Sequence, residues 1–202
     1  MEQGKKRRWL HVPSPAMIVA CVALFVALGG TSYAAATLAA NSVGTRQLKN
    51  GAVTATKVGR LPGARVKDTQ TTTVNTGVTA VLQWDSADFN VGGMYKSSAK
   101  DRLTARVPGR YLIIASVRWP SNVSGRRALA LSLNGTTNEI GLSNVGPYAS
   151  TTLDAQQTVE CVYRLKAGDF VQVWAAQDSG SPLDLRTNVV SGVTFTMQWM
   201  AP

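Results

Sequence analysis

Residues 110–119 read RYLIIASVRW, and this stretch decides the fold class. Tyr111, Ile113, Ala115, Val117 and Trp119 fall at every second position. Arg110, Ser116 and Arg118 take the alternate ones. Period two over ten residues, rich in β-branched and aromatic side chains, predicts a strand with one face in a core. The preceding Pro108-Gly109 pair supplies the turn that starts it.

The same beat extends outward on both sides. Residues 126–133 place Leu129, Leu131 and Leu133 on one face, against Ala128, Ala130 and Ser132. Residues 152–165 place Leu153, Ala155, Val159, Cys161, Tyr163 and Leu165 opposite Asp154, Gln156, Thr158, Glu160 and Arg164. Residues 169–177 give Val171, Val173 and Ala175, backed by Phe170 and Trp174. Residues 189–199 close with Val193, Phe195, Met197 and Trp199. Shorter runs lie at 78–84, 101–107 and 138–142. Asn134-Gly135, Gly168-Asp169 and Gly180-Ser181-Pro182 separate them as turns. No helical period with caps follows residue 68. Eight or so strands in about 134 residues predict an all-β, two-sheet jelly-roll sandwich over residues 69–202.

Several of these residues carry a resemblance. Val107-Pro108-Gly109-Arg110-Tyr111-Leu112-Ile113 resembles the start of a central strand in complement-q globular heads. Leu131-Ser132-Leu133-Asn134-Gly135 resembles the hairpin that follows it. Leu165-Lys166-Ala167-Gly168-Asp169-Phe170-Val171-Gln172-Val173 resembles the next step, and Ser191-Gly192-Val193-Thr194-Phe195 the closing strand, with Val190 in place of an aromatic residue. The resemblance implies the jelly roll of the complement-q and tumour-necrosis-factor superfamily, which is usually trimeric and often carried on an N-terminal stalk. The eight aromatic residues Trp84, Trp119, Trp174, Trp199, Tyr95, Tyr111, Tyr148 and Tyr163 exceed the needs of one thin sandwich. Some are expected at a subunit interface, the rest in the core.

The N-terminus reads differently. Lys5, Lys6, Arg7 and Arg8 precede thirteen continuous apolar residues, Ala16 to Leu28, and then small residues to Ala36. That is the layout of a secretory signal peptide over residues 1–36, with cleavage after Ala34 or Ala36. Thirteen helical residues span about 20 Å, short of a hydrocarbon core of about 30 Å. No charged residue occurs between Arg8 and Arg46, so an uncleaved anchor over residues 16–40 is the second reading, although Gly29-Gly30 argues against a helix continuing that far. Both readings place the C-terminal part outside the membrane, at the extracellular or envelope surface.

Residues 37–68 read as a stalk. Val43, Leu48, Val53 and Val58 recur every five residues, a period neither helical nor extended. Side-by-side chains would bury such a ladder; a flexible linker is the alternative. Residues 13–60 resemble the N-terminal module of many exported actinobacterial proteins, which implies an envelope or extracellular location.

Charge and chemistry narrow the function. The net charge is +10, but residues 1–67 hold ten Lys/Arg against one acid and residues 68–202 eleven against ten. The predicted head is near neutral, which excludes a nucleic-acid face. The one histidine, His11, lies in the targeting segment, so histidine-dependent catalysis and histidine metal sites are excluded from a processed chain. Cys21 lies in the apolar run. Cys161 reads as a small buried hydrophobe.

Carboxylates remain. Asp85 and Asp88, three apart beside Trp84, and Asp184 after Pro182 are of the type that binds calcium or hydrolyses glycosides. Acids scattered over loops produce such pairs by chance, and no catalytic or cofactor site is assigned. The sequence therefore points to a secreted or surface-anchored, non-enzymatic, trimeric binding or adhesion module. It would associate with itself and with a protein or glycan ligand, through loops at 86–100, 121–127, 138–150 and 178–188. The alternatives are an extracellular hydrolase using Asp85 or Asp88, and a structural envelope or virion decoration.

Overall fold

The structure is a computed structural model and describes residues 13–36, 42–54, 56–148, 153–187 and 192–202. The positive cluster at 5–8, the expected cleavage-side residues after Ala36, and residues 188–191 of the closing segment lie outside that set. The chain divides into two compact units, residues 1–57 and residues 58–202.

In the first unit, helix α1 spans Pro15–Ala36. Ser14 caps it, its carbonyl accepting from the Met17 and Ile18 N–H groups and its hydroxyl from Met17, while Pro15 takes the first helical position. The helix passes through Gly29-Gly30, which the sequence reading expected to stop it. Two glycines cost about 1 kcal/mol each in a helix, a penalty too small to end one whose next residues include Ala34, Ala35 and Ala36. The apolar side chains Met17, Val19, Val22, Phe25 and Leu28 are all exposed. Among the described residues no helix is long and apolar enough to cross a membrane.

The second unit is a jelly roll. Its first sheet orders five antiparallel strands β4-β1-β12-β6-β9: β1 (Gly63–Asp68), β4 (Ser86–Val91), β6 (Gly109–Trp119), β9 (Ala155–Leu165) and β12 (Val193–Ala201). The second sheet runs β3-β10-β7-β8, from β3 (Ala80–Val81), β7 (Arg127–Leu133), β8 (Glu139–Val145) and β10 (Phe170–Gln177), with β5 (Leu103–Thr104) also on β10. A short pair, β2 (Thr73–Val74) and β11 (Leu183–Asp184), covers one end.

The inward faces follow the period-two reading. Tyr111, Ile113, Ala115, Val117 and Trp119 are fully buried, and so are Leu129, Leu131, Val171, Val173, Ala175, Phe195 and Met197. Cys161 is half-buried against this core and burial pushes its thiol pKa up. The Asn134-Gly135 pair closes its turn with positive φ at both residues, 56° and 68°, and Thr136 N–H donates to Leu133 C=O. That is the mirror-image turn whose twist suits a hairpin.

Three boundaries differ from the sequence expectation. Residues 63–68, assigned to the stalk, form β1 within the first sheet, registered Ala64↔Met197 and Val66↔Phe195 with both apolar side chains buried. Residues 86–91, assigned to a contact loop, form β4 on the edge beside β1. Leu153 does not share the buried face; it is exposed, and β9 begins at Ala155. Of the aromatic residues, Trp84, Trp119 and Tyr111 are core; Tyr95, Tyr163, Trp174 and Trp199 are half-buried; Tyr148 is exposed.

Candidate functional site at the loop end of the sandwich

The strand registers sort the connections into two ends. Gly63, Gly109, Leu133, Leu165 and Ala201 lie at one end of the sheets. Trp119, Arg127, Val145, Ala155, Gln177 and Val193 lie at the other. The chain enters the sheet at the first end. Two of the four predicted contact loops, 121–127 and 178–187, meet at the second, joined by residues 146–148. Of the other two, 86–91 is a strand followed by Gly92, which lies beside Pro62 at the entry end, and 139–145 is a strand that leaves only 146–148 at the loop end. Residues 149–150 and 188 lie outside the described set.

Three buried polar side chains at or near strand ends organise this loop end. Arg127, only 1% exposed, donates to the carbonyls of Asn122, Ser124 and Gly125 at 2.9 Å each. Burial lowers its pKa, and the nearby Asp178 charge opposes that shift. Gln177 donates to the carbonyls of Val74 (3.0 Å) and Ser181 (2.8 Å) and accepts from the Ser179 N–H at 2.7 Å. Gln157, also buried, spans the two sheets. Each residue occupies an inward position of its strand where the pattern calls for an apolar side chain: Arg127 before Leu129, Gln157 before Val159, Gln177 after Ala175. Sequence reasoning passed over all three, and that interruption of the alternation is the signal that would have found them. Their polar groups satisfy carbonyls of the loops and of neighbouring strand residues.

Further contacts bind loop to loop. The Arg126 N–H donates to the Asp178 carboxylate, and the Asp178 N–H returns to the Arg126 carbonyl at 3.2 Å. Gly125 has φ +70°, and a Cβ there would meet the Ser179 nitrogen at 2.5 Å. Asp154 sits between Arg118 (3.5 Å) and Arg186 (3.3 Å). A cleft of about 230 Å³ opens beside Gly77, Thr79, Arg126, Gln177 and Asp178, with Arg126 and Asp178 exposed on it. The cleft presents a guanidinium, a carboxylate and amide groups.

The carboxylates considered for catalysis or calcium are engaged separately. Asp85 accepts from the Thr69 N–H (3.0 Å) and hydroxyl (2.6 Å); although burial opposes its charge, these bonds hold its pKa below the ordinary carboxylate value. Asp88 pairs with Lys67 (2.9 Å) and Arg65 (3.3 Å) on the sheet surface. Asp184 accepts from the Thr73 hydroxyl at 2.6 Å. Among the described residues no three His, Cys, Asp or Glu side chains group as a metal site.

No family model matches the sequence, and no curated protein matches it. Solved structures do. Murine APRIL at pH 5.0 superposes with a TM-score of 0.54 at 12% identity, covering 70% of this chain and all of that one. Murine APRIL at pH 8.0 gives 0.53 at 13% identity with the same coverage. At such identity the likeness concerns architecture alone: the C-terminal unit of this chain has the tumour-necrosis-factor-type jelly-roll fold.

Proposed function

We propose that this chain is an exported, non-enzymatic binding module whose jelly-roll heads associate as a homotrimer and present the loop end to a protein or glycan at the cell surface. The observation that carries the reading is on the outward face of the first sheet. Leu112 and Val162 are cross-strand partners there, with Ile114 two residues along on the same face. Val162 is 56% exposed; Thr158, Thr194 and Thr196 lie beside the strip, Glu160 faces Ile114 across the strands, and Arg110 and Arg164 stand at its end. A short apolar strip with a polar and charged rim, on a sheet whose other face is already the core, supports a subunit interface there. The N-terminal apolar segment supports export, and the order of apolar segment, repeat and head supports display of the head at a distance from the N-terminus.

The experiment is sedimentation equilibrium on residues 58–202, which hold the whole sandwich core, at micromolar concentration. A three-fold mass is expected, with Val162→Glu reverting it to the monomer while circular dichroism stays unchanged. A monomeric parent, or a Val162→Glu variant that keeps the three-fold mass, would overturn the interface.

A further inference from the structure

Among the described residues of 42–57, three successive turns are closed by the same bond. The Gln47 N–H donates to the Gly44 carbonyl at 3.1 Å, Ala52 to Lys49 at 2.9 Å, and Lys57 to Thr54 at 2.9 Å. The turns therefore start five residues apart. Directly before each stands an apolar residue, Val43, Leu48 or Val53, exposed by 47%, 45% and 58%. Among the described residues of this segment only Ala52 is less than fully exposed in class.

A regular spiral with one uncovered apolar residue per turn cannot be completed within one chain. Nothing in the segment faces the rungs, and each repeat buries its apolar side only against a neighbour of the same kind. A partner must meet all three rungs together, so it needs the same five-residue beat. A copy of this chain has that beat by construction. We propose that Val43, Leu48 and Val53 form a homotypic ladder, on which further copies of the chain pack parallel and in register.

The charges stand off the ladder. Arg46, Lys49 and Lys57 never stand at a rung and fall at three different places in the five-residue beat. In-register copies bring like charges together at each of these positions, away from the rungs, and that repulsion is screened at physiological salt. The parallel arrangement rests on the trimer proposed above: a cyclic assembly of heads delivers the copies of the segment side by side in one direction.

The test uses the full chain in detergent micelles with Cys21→Ser and Cys161→Ser, and adds either Val53→Cys or the off-rung Asn50→Cys. Each is oxidised by copper-catalysed air oxidation, and the covalent pair is read on a denaturing gel. A rung thiol held against its copy should cross-link at least about ten-fold more than an off-rung thiol that meets its copy only by excursion. Leu48→Asp added to Val53→Cys should remove that excess while leaving the melting of the head unchanged. Equal yields from positions 50 and 53 in a chain of three-fold mass would overturn the ladder and leave the head trimer standing. A monomeric full chain with no cross-link would overturn both.

Discussion

The Trp119 indole N–H donates to the Gln157 side-chain oxygen at 2.8 Å, and both residues are buried. The Gln157 amide nitrogen then donates to the Ser143 carbonyl at 2.7 Å and the Arg127 carbonyl at 3.4 Å. Gln157 thus ties two strands of the first sheet to two of the second at the loop end. Replacing it with leucine keeps the volume and strands the indole N–H and a strand carbonyl without partners. We expect Gln157→Leu to cost about 2–3 kcal/mol, a fall in Tm of roughly 6–12 °C for a domain of this size. Differential scanning calorimetry on residues 58–202 checks it; a neutral variant would show that the amide is dispensable.

Arg127 predicts a local effect. Its guanidinium holds three carbonyls of one loop and has no ion-pair partner within contact distance among the described residues. Arg127→Met retains an apolar stem and releases the loop. Amide exchange at residues 121–126 should accelerate well before global unfolding does, with a stability loss of about 3 kcal/mol. Uniform acceleration across the sandwich would contradict the clamp.

Gly125 predicts a second route to the same loop. With φ +70° and no room for a Cβ against the Ser179 nitrogen, Gly125→Ala must move the 121–127 loop away from the 178–181 segment. A loss of about 1–3 kcal/mol is expected, with any ligand affinity of the loop end falling alongside. Thermal melts together with a glycan or protein-array binding readout test it, and an unchanged Tm would refute the close approach.

Asp101 predicts a pH dependence. The Arg102 guanidinium donates to it at 2.7 and 2.8 Å and Gln172 adds a further bond, holding its pKa below the ordinary value of 3.8. A carboxylate with a depressed folded-state pKa contributes stability above the unfolded value, and loses it as pH falls through the folded one. Asp101→Asn should therefore melt lower than the parent at neutral pH, by about 1 kcal/mol, and the two curves should converge as pH drops below 3.8. Asp68 runs the other way. Burial raises its pKa against bonds from Thr72 and Gln70, so its contribution is lost as pH rises through the folded value. The gap between the parent and Asp68→Asn should narrow with rising pH.

How much of this was legible beforehand depended on what each strand buries. β6, β7, β9, β10 and β12 carry long apolar alternations, and their core faces follow from the sequence. β1 was missed because only Ala64 and Val66 mark its inward side while Arg65, Lys67 and Asp68 surround them. β4 was missed because an edge strand with almost no buried side chain shows no alternation. The loop end was legible only as a set of loops. Arg127 reads as part of the 121–127 loop, and Gln157 and Gln177 are passed over although each breaks the inward alternation of its strand. A buried carbonyl elsewhere in the chain, which alone explains them, leaves no mark on that pattern.

The pairing of β1 with both β4 and β12 has a mechanical meaning. Gly63 begins β1 at the end of the sandwich opposite the candidate ligand loops, and β1 runs antiparallel to both neighbours. When the chain is held ahead of residue 63 and a ligand pulls at the far loops, the force lies along the strand axis. All the hydrogen bonds of β1 are then loaded in parallel, in shear, instead of opening one after another like a zipper. A head attached this way resists detachment by flow or cell movement far better than one hung from a strand peeled at its end.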